Sequence, residues 1–435
     1  MNRKTASVVG SIMGLVAPLW VFAQTPPAGG ADANSPLSLA GLVQEAMEHN
    51  PEILAARRAV EAKRARIPQA GAWADPTVSL SYGGNAFPPF TVMRGDPSSN
   101  RELIAEQTIP YPGKTRLRKE IAARDADAES LAYEATTRQV VAEIKQAYFE
   151  LYYLNHSLAT LQKDHEILKE LEQATEARYS TGKATQQDVL RAQLELTRLG
   201  QRVTMVRYEH DTLLAQINSL RNAAVDAPLG DPGEVKPSTL IYNKAQLQDA
   251  AEKSYPVLNQ RRTMVDENRL AVDLARKDVR PDFSVGYAYM QRDGMPDMYG
   301  ITFSASLPIF RHRKQDRAIA EATANLESAR QMESKELAAL RFQVRQDFLA
   351  VQDSEELLKL YTDGIAPQTK LISQSSLAGL ETGQGGYSDI LRNILEQTDA
   401  ELDYYRQVAD HEKALARLEA ETGLDLIQQG ETHHD

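Results

Sequence analysis

The sequence predicts a mainly α protein with a small β part, built from a duplicated unit of helix, two strands and a long helical hairpin. Three observations carry this prediction. The chain repeats itself at an offset of about 200 residues, each copy holds short segments alternating at period two, and helical stretches without proline or glycine run far longer than a globular domain needs. In the repeat, Pro51 and Pro256 each open a helical segment, and the same offset of 205 joins Arg57 to Arg262, Asp75-Pro76 to Arg280-Pro281, and Tyr82 to Tyr287. Ile109-Pro110 matches Leu307-Pro308 at 198; Thr181-Gly182 matches Thr382-Gly383 at 201, as Asp188-Val189-Leu190-Arg191 does Asp389-Ile390-Leu391-Arg392. An ordered series of this kind is not chance, and its small shifts are loop insertions. The units are 37–222 and 240–423, joined by a linker at 223–239 rich in proline and glycine.

The elements follow in order. Arg3 and Lys4 precede an apolar run from Val8 to Ala23 that ends on Val21-Phe22-Ala23, so 1–23 reads as a secretory signal peptide. An uncleaved anchor is the alternative; Pro18 and the proline- and glycine-rich linker at 24–36 favour cleavage. Each unit then opens with a helix of about 30 residues ending before Pro76 or Pro281. Strands are predicted at about 77–86 and 101–109, and at about 282–291 and 299–307. Val78, Leu80 and Tyr82 alternate with Thr77, Ser79 and Ser81; Phe283, Val285, Tyr287 and Tyr289 alternate with Ser284, Gly286 and Ala288; Tyr299, Ile301 and Phe303 alternate with Gly300, Thr302 and Ser304. The segment 101–109 matches less well, because Glu102 and Glu106 interrupt it. A half-buried soluble sheet is one reading of this pattern. A signal peptide and long polar helices point instead to a membrane barrel, and four strands cannot close one, so several chains must share it. From Lys114 to Tyr179 there are 66 residues without proline or glycine, about 100 Å of helix. Leu151, Leu154, Leu158, Leu161 and Leu168 mark a heptad seam with His165 on it. The chain reverses near 181–182, and in the second copy near 382–383; 424–435 is a flexible tail.

Composition excludes much chemistry. With no cysteine there is no disulfide, thiolate metal site or cysteine nucleophile. The net charge of −11, or 47 − 60 = −13 after loss of Arg3 and Lys4, argues against nucleic acid as a partner. Pro112-Gly113-Lys114-Thr115 resembles the end of a phosphate loop, but Thr108 stands where the first glycine belongs. The histidines are scattered, and no catalytic or cofactor-binding constellation occurs: neither enzyme activity, metal site nor cofactor is expected. Asp188 and Asp389 each follow a Thr-Gly turn by a few residues, as a charge favouring a helix N-terminus would. Their recurrence favours a shared role at the turn.

Taken together, the signal peptide, the double repeat and the TGxxxxxDVLR and TGxxxxxDILR stretches resemble the TolC-like outer membrane efflux protein family over about 37–423. The stretch Ile109 to Lys114 and the Asp75-Pro76 turn look most like its heavy-metal efflux branch. The resemblance implies a homotrimer whose transmembrane β-barrel continues as a periplasmic α-helical barrel in a Gram-negative outer membrane. It implies passive export of heavy-metal cations or small toxic compounds, with a periplasmic adaptor protein and a proton-driven inner-membrane pump as partners beside outer membrane lipid. The adaptor would dock at the periplasmic tip on Thr181, Gly182, Asp188, Leu190, Thr382, Gly383 and Leu391, and Asp389 and Arg392 would stand at the tunnel entrance. Arg392 takes the place of a second acid found in some members, and Leu380 and Gly385 the place of gate-holding polar residues, so the family's gate contacts do not carry over. The alternative is a periplasmic coiled-coil scaffold or adaptor with a small soluble sheet.

Overall fold

The computed structural model describes residues 37–84, 90–381 and 387–427. The signal peptide, the second Thr-Gly turn (Thr382-Gly383) and most of the tail lie outside these residues. Each copy opens with two helices rather than one. A short helix, α1 (Leu39–His49), is followed by α2 (Pro51–Gly71), and in the second copy α5 (Lys244–Ser254) is followed by α6 (Pro256–Lys277). The breaks fall before the prolines, where the preceding residue is pushed to extended backbone. Asn50 then caps α2 with its side-chain oxygen and donates to the carbonyl of Leu220 at 2.7 Å, joining the start of the repeat to its end.

Four strands form one antiparallel sheet in the order β1 (Thr77–Gly83), β2 (Asn100–Ile109), β3 (Phe283–Gln291) and β4 (Met298–Ala305). The register lines Val78, Ala105, Tyr287 and Ile301 across one face, and Leu80, Leu103, Tyr289 and Tyr299 in the next row. Val78, Leu80, Tyr299, Ile301 and Phe303 are all well exposed. The other face carries Thr77, Ser79, Ser81, Ser284, Gly286, Gly300, Thr302 and Ser304. Glu102 and Glu106 lie on that second face, opposite Ser81 and Thr77. They therefore keep the alternation in β2 rather than interrupt it; its exceptions are Ile104, which shares their face, and Arg101 and Gln107, which lie on the apolar one.

Helix α3 (Lys114–Ser180) is the spine, packed against α2 and α6 at one end and α4 (Gln186–Leu220) and α9 (Tyr387–Thr422) at the other. Its counterpart α7 (Gln315–Leu360) continues through a π turn at Tyr361–Ile365 into α8 (Ala366–Glu381). Pro367 has no N–H to offer the preceding turn and Gly364 lies inside it, which accounts for the local change of winding. The buried seam of α3 is Leu154, Ser157, Leu161, Asp164, Leu168, Leu171 and Thr175, a strict alternation of threes and fours. The sequence-based register placed Leu158 and His165 there; both are half-buried beside the seam. Two polar residues hold those levels instead. Asp164 is tolerated because Thr398 Oγ1 on α9 donates to it at 2.6 Å. A larger apolar cluster, including Ile144, Leu151, Leu247, Leu258, Val344 and Leu415, packs α1 onto the middle of the spine and α5 onto α7 and α9.

Candidate functional site

The candidate site is the pair of hairpin tips, with the joints that hold sheet and helices in line above them. At the first tip, α3 ends on backbone donation from Gly182 N to Tyr179 O at 3.0 Å and from Lys183 N to Arg178 O at 2.8 Å. Gly182 has φ +72, and a Cβ built there meets nothing within 4 Å. Glycine serves this turn through its backbone alone. The Thr181 hydroxyl donates to Arg178 O at 3.0 Å. Asp188 completes a capping box: its carboxylate accepts from Thr185 N at 3.0 Å and Thr185 Oγ1 at 2.7 Å. Those hydroxyl and backbone bonds hold its carboxyl below the usual range. Leu190 is 57% exposed, and Leu194, one turn on, is exposed as well. Sequence reading missed Leu194, although its spacing of four from Leu190 is the signal of a shared helix face.

At the second tip, α9 opens with Asp389 and Arg392 as an exposed ion pair one turn apart. The duplicated motif thus has two duties. In the first copy the aspartate caps, which leaves Arg191 free to reach across and donate to Ser388 Oγ at 3.0 Å. In the second copy aspartate and arginine bind each other. Arg202 and Asp399, 2.9 Å apart, tie the same two helices again further up. Leu391 departs from its expected docking role. It is only 6% exposed and packs with Ile390, Leu161, Leu168, Leu171 and Leu199 inside the helical hairpins. A residue of α9 facing α3 is core, whereas its counterpart Leu190 faces outward.

Where sheet meets helix, Lys114 is 3% exposed and its ammonium lies 2.9 Å from Asp282 and 3.3 Å from Asp278, and donates to Arg280 O at 2.9 Å. Tyr111 N also donates to Asp282, at 2.7 Å. The lysine of the phosphate-loop-like stretch is therefore fully committed as a clasp between the two copies.

Midway along, His411 is fully buried between Ser354 Oγ at 2.9 Å and Ser238 O at 2.7 Å, and Glu412 accepts from Ser238 N at 2.6 Å. Burial pushes the Glu412 carboxyl up despite those bonds. Nearby, Arg417 binds Asp347 at 2.6 Å, and a cavity of about 630 Å³ opens beside Arg138, Asp347, Arg417 and Glu421. Burial, with Asp347 adding to it, raises the Glu421 carboxyl to about 8. Among the described residues no cluster of side chains could hold a metal ion, and no helix is long and apolar enough to cross a membrane. The latter says nothing of a β-barrel.

The sequence of residues 42–223, the first repeat with its hairpin, matches the outer membrane efflux protein family. By this match the first repeat, 182 of the chain's 435 residues, is similar to outer membrane efflux proteins. The fold is shared along nearly the whole chain with solved outer-membrane channels. OprN is 17% identical, with 90% of this chain and 91% of that one covered at a TM-score of 0.77. CmeC of Campylobacter jejuni is 15% identical, with coverage of 90% and 89% and a TM-score of 0.77. VceC of Vibrio cholerae is 15% identical, with coverage of 88% and 96% and a TM-score of 0.75. No curated protein sequence matches the chain. The first repeat thus carries the sequence pattern of outer membrane efflux proteins, and the whole chain carries the fold of outer-membrane channels. Outer membrane efflux channels of this family act as trimers within tripartite pumps.

Proposed function

We propose that three copies of this chain form one passive duct, sharing a twelve-stranded barrel in the outer membrane and a helical tunnel across the periplasm. One observation carries the reading: the sheet has an exposed, mostly apolar face and, among the described residues, two unpaired edges, β1 and β4. In lipid each open edge leaves backbone groups unsatisfied at several kcal/mol apiece. Four strands are half of the smallest closed barrel, and three copies supply twelve. Helices of about 100 Å then hang from the barrel. Their tips, Thr181, Gly182, Asp188 and Leu190 with Thr382 and Gly383, are the docking surface for a periplasmic adaptor linked to a proton-driven inner-membrane pump. Leu194 joins that surface. Asp389 and Arg392 line the tunnel entrance, where three copies would form a ring of paired charges. Substrates are heavy-metal cations or small toxic compounds, moved by the pump and not by the duct. Mass measurement in detergent combined with planar-bilayer recording tests the duct. Three copies and a steady conductance are expected; a monomer that conducts by itself refutes the shared barrel. A deletion strain screened against metals, detergents and antibiotics tests the substrate class.

A further inference from the structure

We propose that the joint between α9 and α6 binds a small zwitterion of the α-amino acid class, its carboxylate held by the start of α6 and its ammonium by Glu421. The site lies within one protomer, so it goes beyond the duct and does not rest on the assembly of three copies. The duplication supplies the template. In the first copy the end of α4 meets the start of α2, and Asn50 joins them. Its side-chain oxygen accepts from Glu52 N at 2.9 Å and Ile53 N at 3.2 Å, and its amide nitrogen donates to Leu220 O. In the second copy the end of α9 meets the start of α6, where Ser254 Oγ donates to Thr422 O. The offset of 205 carries Asn50 onto Tyr255, and the offset of 201 carries Leu220 onto Glu421. The backbone matches, with φ −62 and ψ 123 at Asn50 against φ −65 and ψ 116 at Tyr255. Only the side chains differ. A phenol has no acceptor that reaches back to the start of its own helix, so α6 has no side-chain cap. Val257 and Leu258, the counterparts of Glu52 and Ile53, keep N–H donors that no side chain satisfies.

The cavity of about 630 Å³ opens at this joint, lined by Tyr255, Pro256, Val257 and Glu421. A second observation, independent of the helix end, points to a ligand. Glu421 is 8% exposed, and its Oε2 is buried without a hydrogen-bond partner among the described residues. Nη1 of Arg138, another lining residue, is buried and unpartnered in the same way. The charges of the lining decide the class of ligand. Glu52 of α2, Asp347 of α7 and Glu421 share the cavity with Arg138 of α3, Arg417 of α9 and the Tyr255 phenol. Arg138 and Arg417 are already bound to Glu134 and Asp347. A bare anion would meet three carboxyl groups. A bare cation would meet an uncapped helix start and two guanidinium groups. Among the described residues no cluster suits a metal ion. A zwitterion answers both signs: its carboxylate accepts from Val257 N, Leu258 N and Arg138 Nη1, and its ammonium donates to Glu421 Oε2. In the first copy the Asn50 amide performs the same two duties. Gln139, Gln146, Gln343 and Gln346 line the remaining space, where a polar side chain fits. Burial raises the Glu421 carboxyl to about 8. It therefore holds its proton at neutral pH, and a neighbouring ammonium drives that proton off.

The test is calorimetric titration of the detergent-solubilised protein with glycine and with L-glutamine at neutral pH, with acetate and methylamine as half-ligands. Saturable binding of one amino acid per chain is expected, about tenfold or more tighter than either half-ligand. Repeating the titration in buffers of different ionisation enthalpy counts protons, and close to one should leave per ligand bound. Glu421→Gln should weaken binding about tenfold and abolish the proton release, a readout that packing alone would not move. Tyr255→Asn should rebuild the cap of the first copy, compete for the same N–H donors and also weaken binding about tenfold. Acetate bound as tightly as the amino acids overturns the zwitterion. Saturation by neither amino acid at millimolar concentration overturns the site, as does binding that is unchanged in either variant. Should Tyr255→Asn fail to fold, Glu421→Gln and its proton count decide the matter. Binding is counted per chain, so a monomeric mass overturns only the trimeric duct and leaves this test standing.

Discussion

Replacing Glu421 by glutamine should stabilise the protein at neutral pH and leave it almost unchanged at pH 5. The side chain is 8% exposed, one carboxyl oxygen has no partner among the described residues, and its titration is raised from 4.5 to about 8. The sign follows from proton counting. Between those values the unfolded chain has released this proton while the folded chain keeps it, so stability falls as pH rises through the window. At about 1.4 kcal/mol per pH unit, the buried acid withholds about 3 kcal/mol per protomer by pH 7. Glutamine keeps the shape of the protonated acid and does not titrate, so it removes that loss. The buried acids Asp164, Asp347 and Glu412 are raised in the same direction and stay in both proteins; the difference between variant and parent isolates Glu421. The assay is thermal unfolding of the detergent-solubilised protein, followed by helical circular dichroism from pH 5 to 8. The variant should melt progressively higher than the parent as pH rises. Parallel curves would show that Glu421 titrates normally, and the burial argument would then be wrong.

Lys114→Met should cost about 3 kcal/mol, since it strands two carboxylates that keep only partial access to water; loss of heat-resistant trimers on gels checks it. Gly182→Ala should cost about 1 kcal/mol locally through its positive φ and leave resistance intact, whereas Gly182→Asp should abolish efflux at a normal trimer level. Resistance that falls only in proportion to protein level would refute docking at the tip. Asp389→Ala should alter stability by less than about 1 kcal/mol, because the pair with Arg392 is exposed. It should raise conductance and shift ion preference toward anions by freeing the arginine, and an unchanged reversal potential would exclude Asp389 from the entrance. Thr398→Val should cost about 2 kcal/mol, because the Asp164 carboxylate in the seam loses its hydroxyl donor; chemical unfolding of the trimer checks it.

What the sequence determined by itself was whatever depends on periodicity and on neighbours along the chain. Alternation at period two marked the strands, an uninterrupted run from Lys114 marked the long helix, and Gly182 marked its end, because backbone geometry responds to local residue type. The duplication showed the order of elements and required more than one chain to close a barrel. Tertiary structure decided how each side chain is used. Asp164 occupies the seam that apolar counting gave to His165, because its hydroxyl donor, Thr398, stands 234 residues away. Leu391 is core and Leu190 is surface within the same duplicated motif, since α9 turns Leu391 into the cluster with Leu161, Leu168 and Leu171 while α4, packed on the same spine, leaves Leu190 on its outer side. Lys114 became a clasp only when Asp278 and Asp282 of the other copy came within reach. His411 read as one of the scattered histidines until the linker brought Ser238 onto it and onto Glu412. A buried polar group is stable only when distant parts of the chain satisfy it, and no local pattern records which ones will.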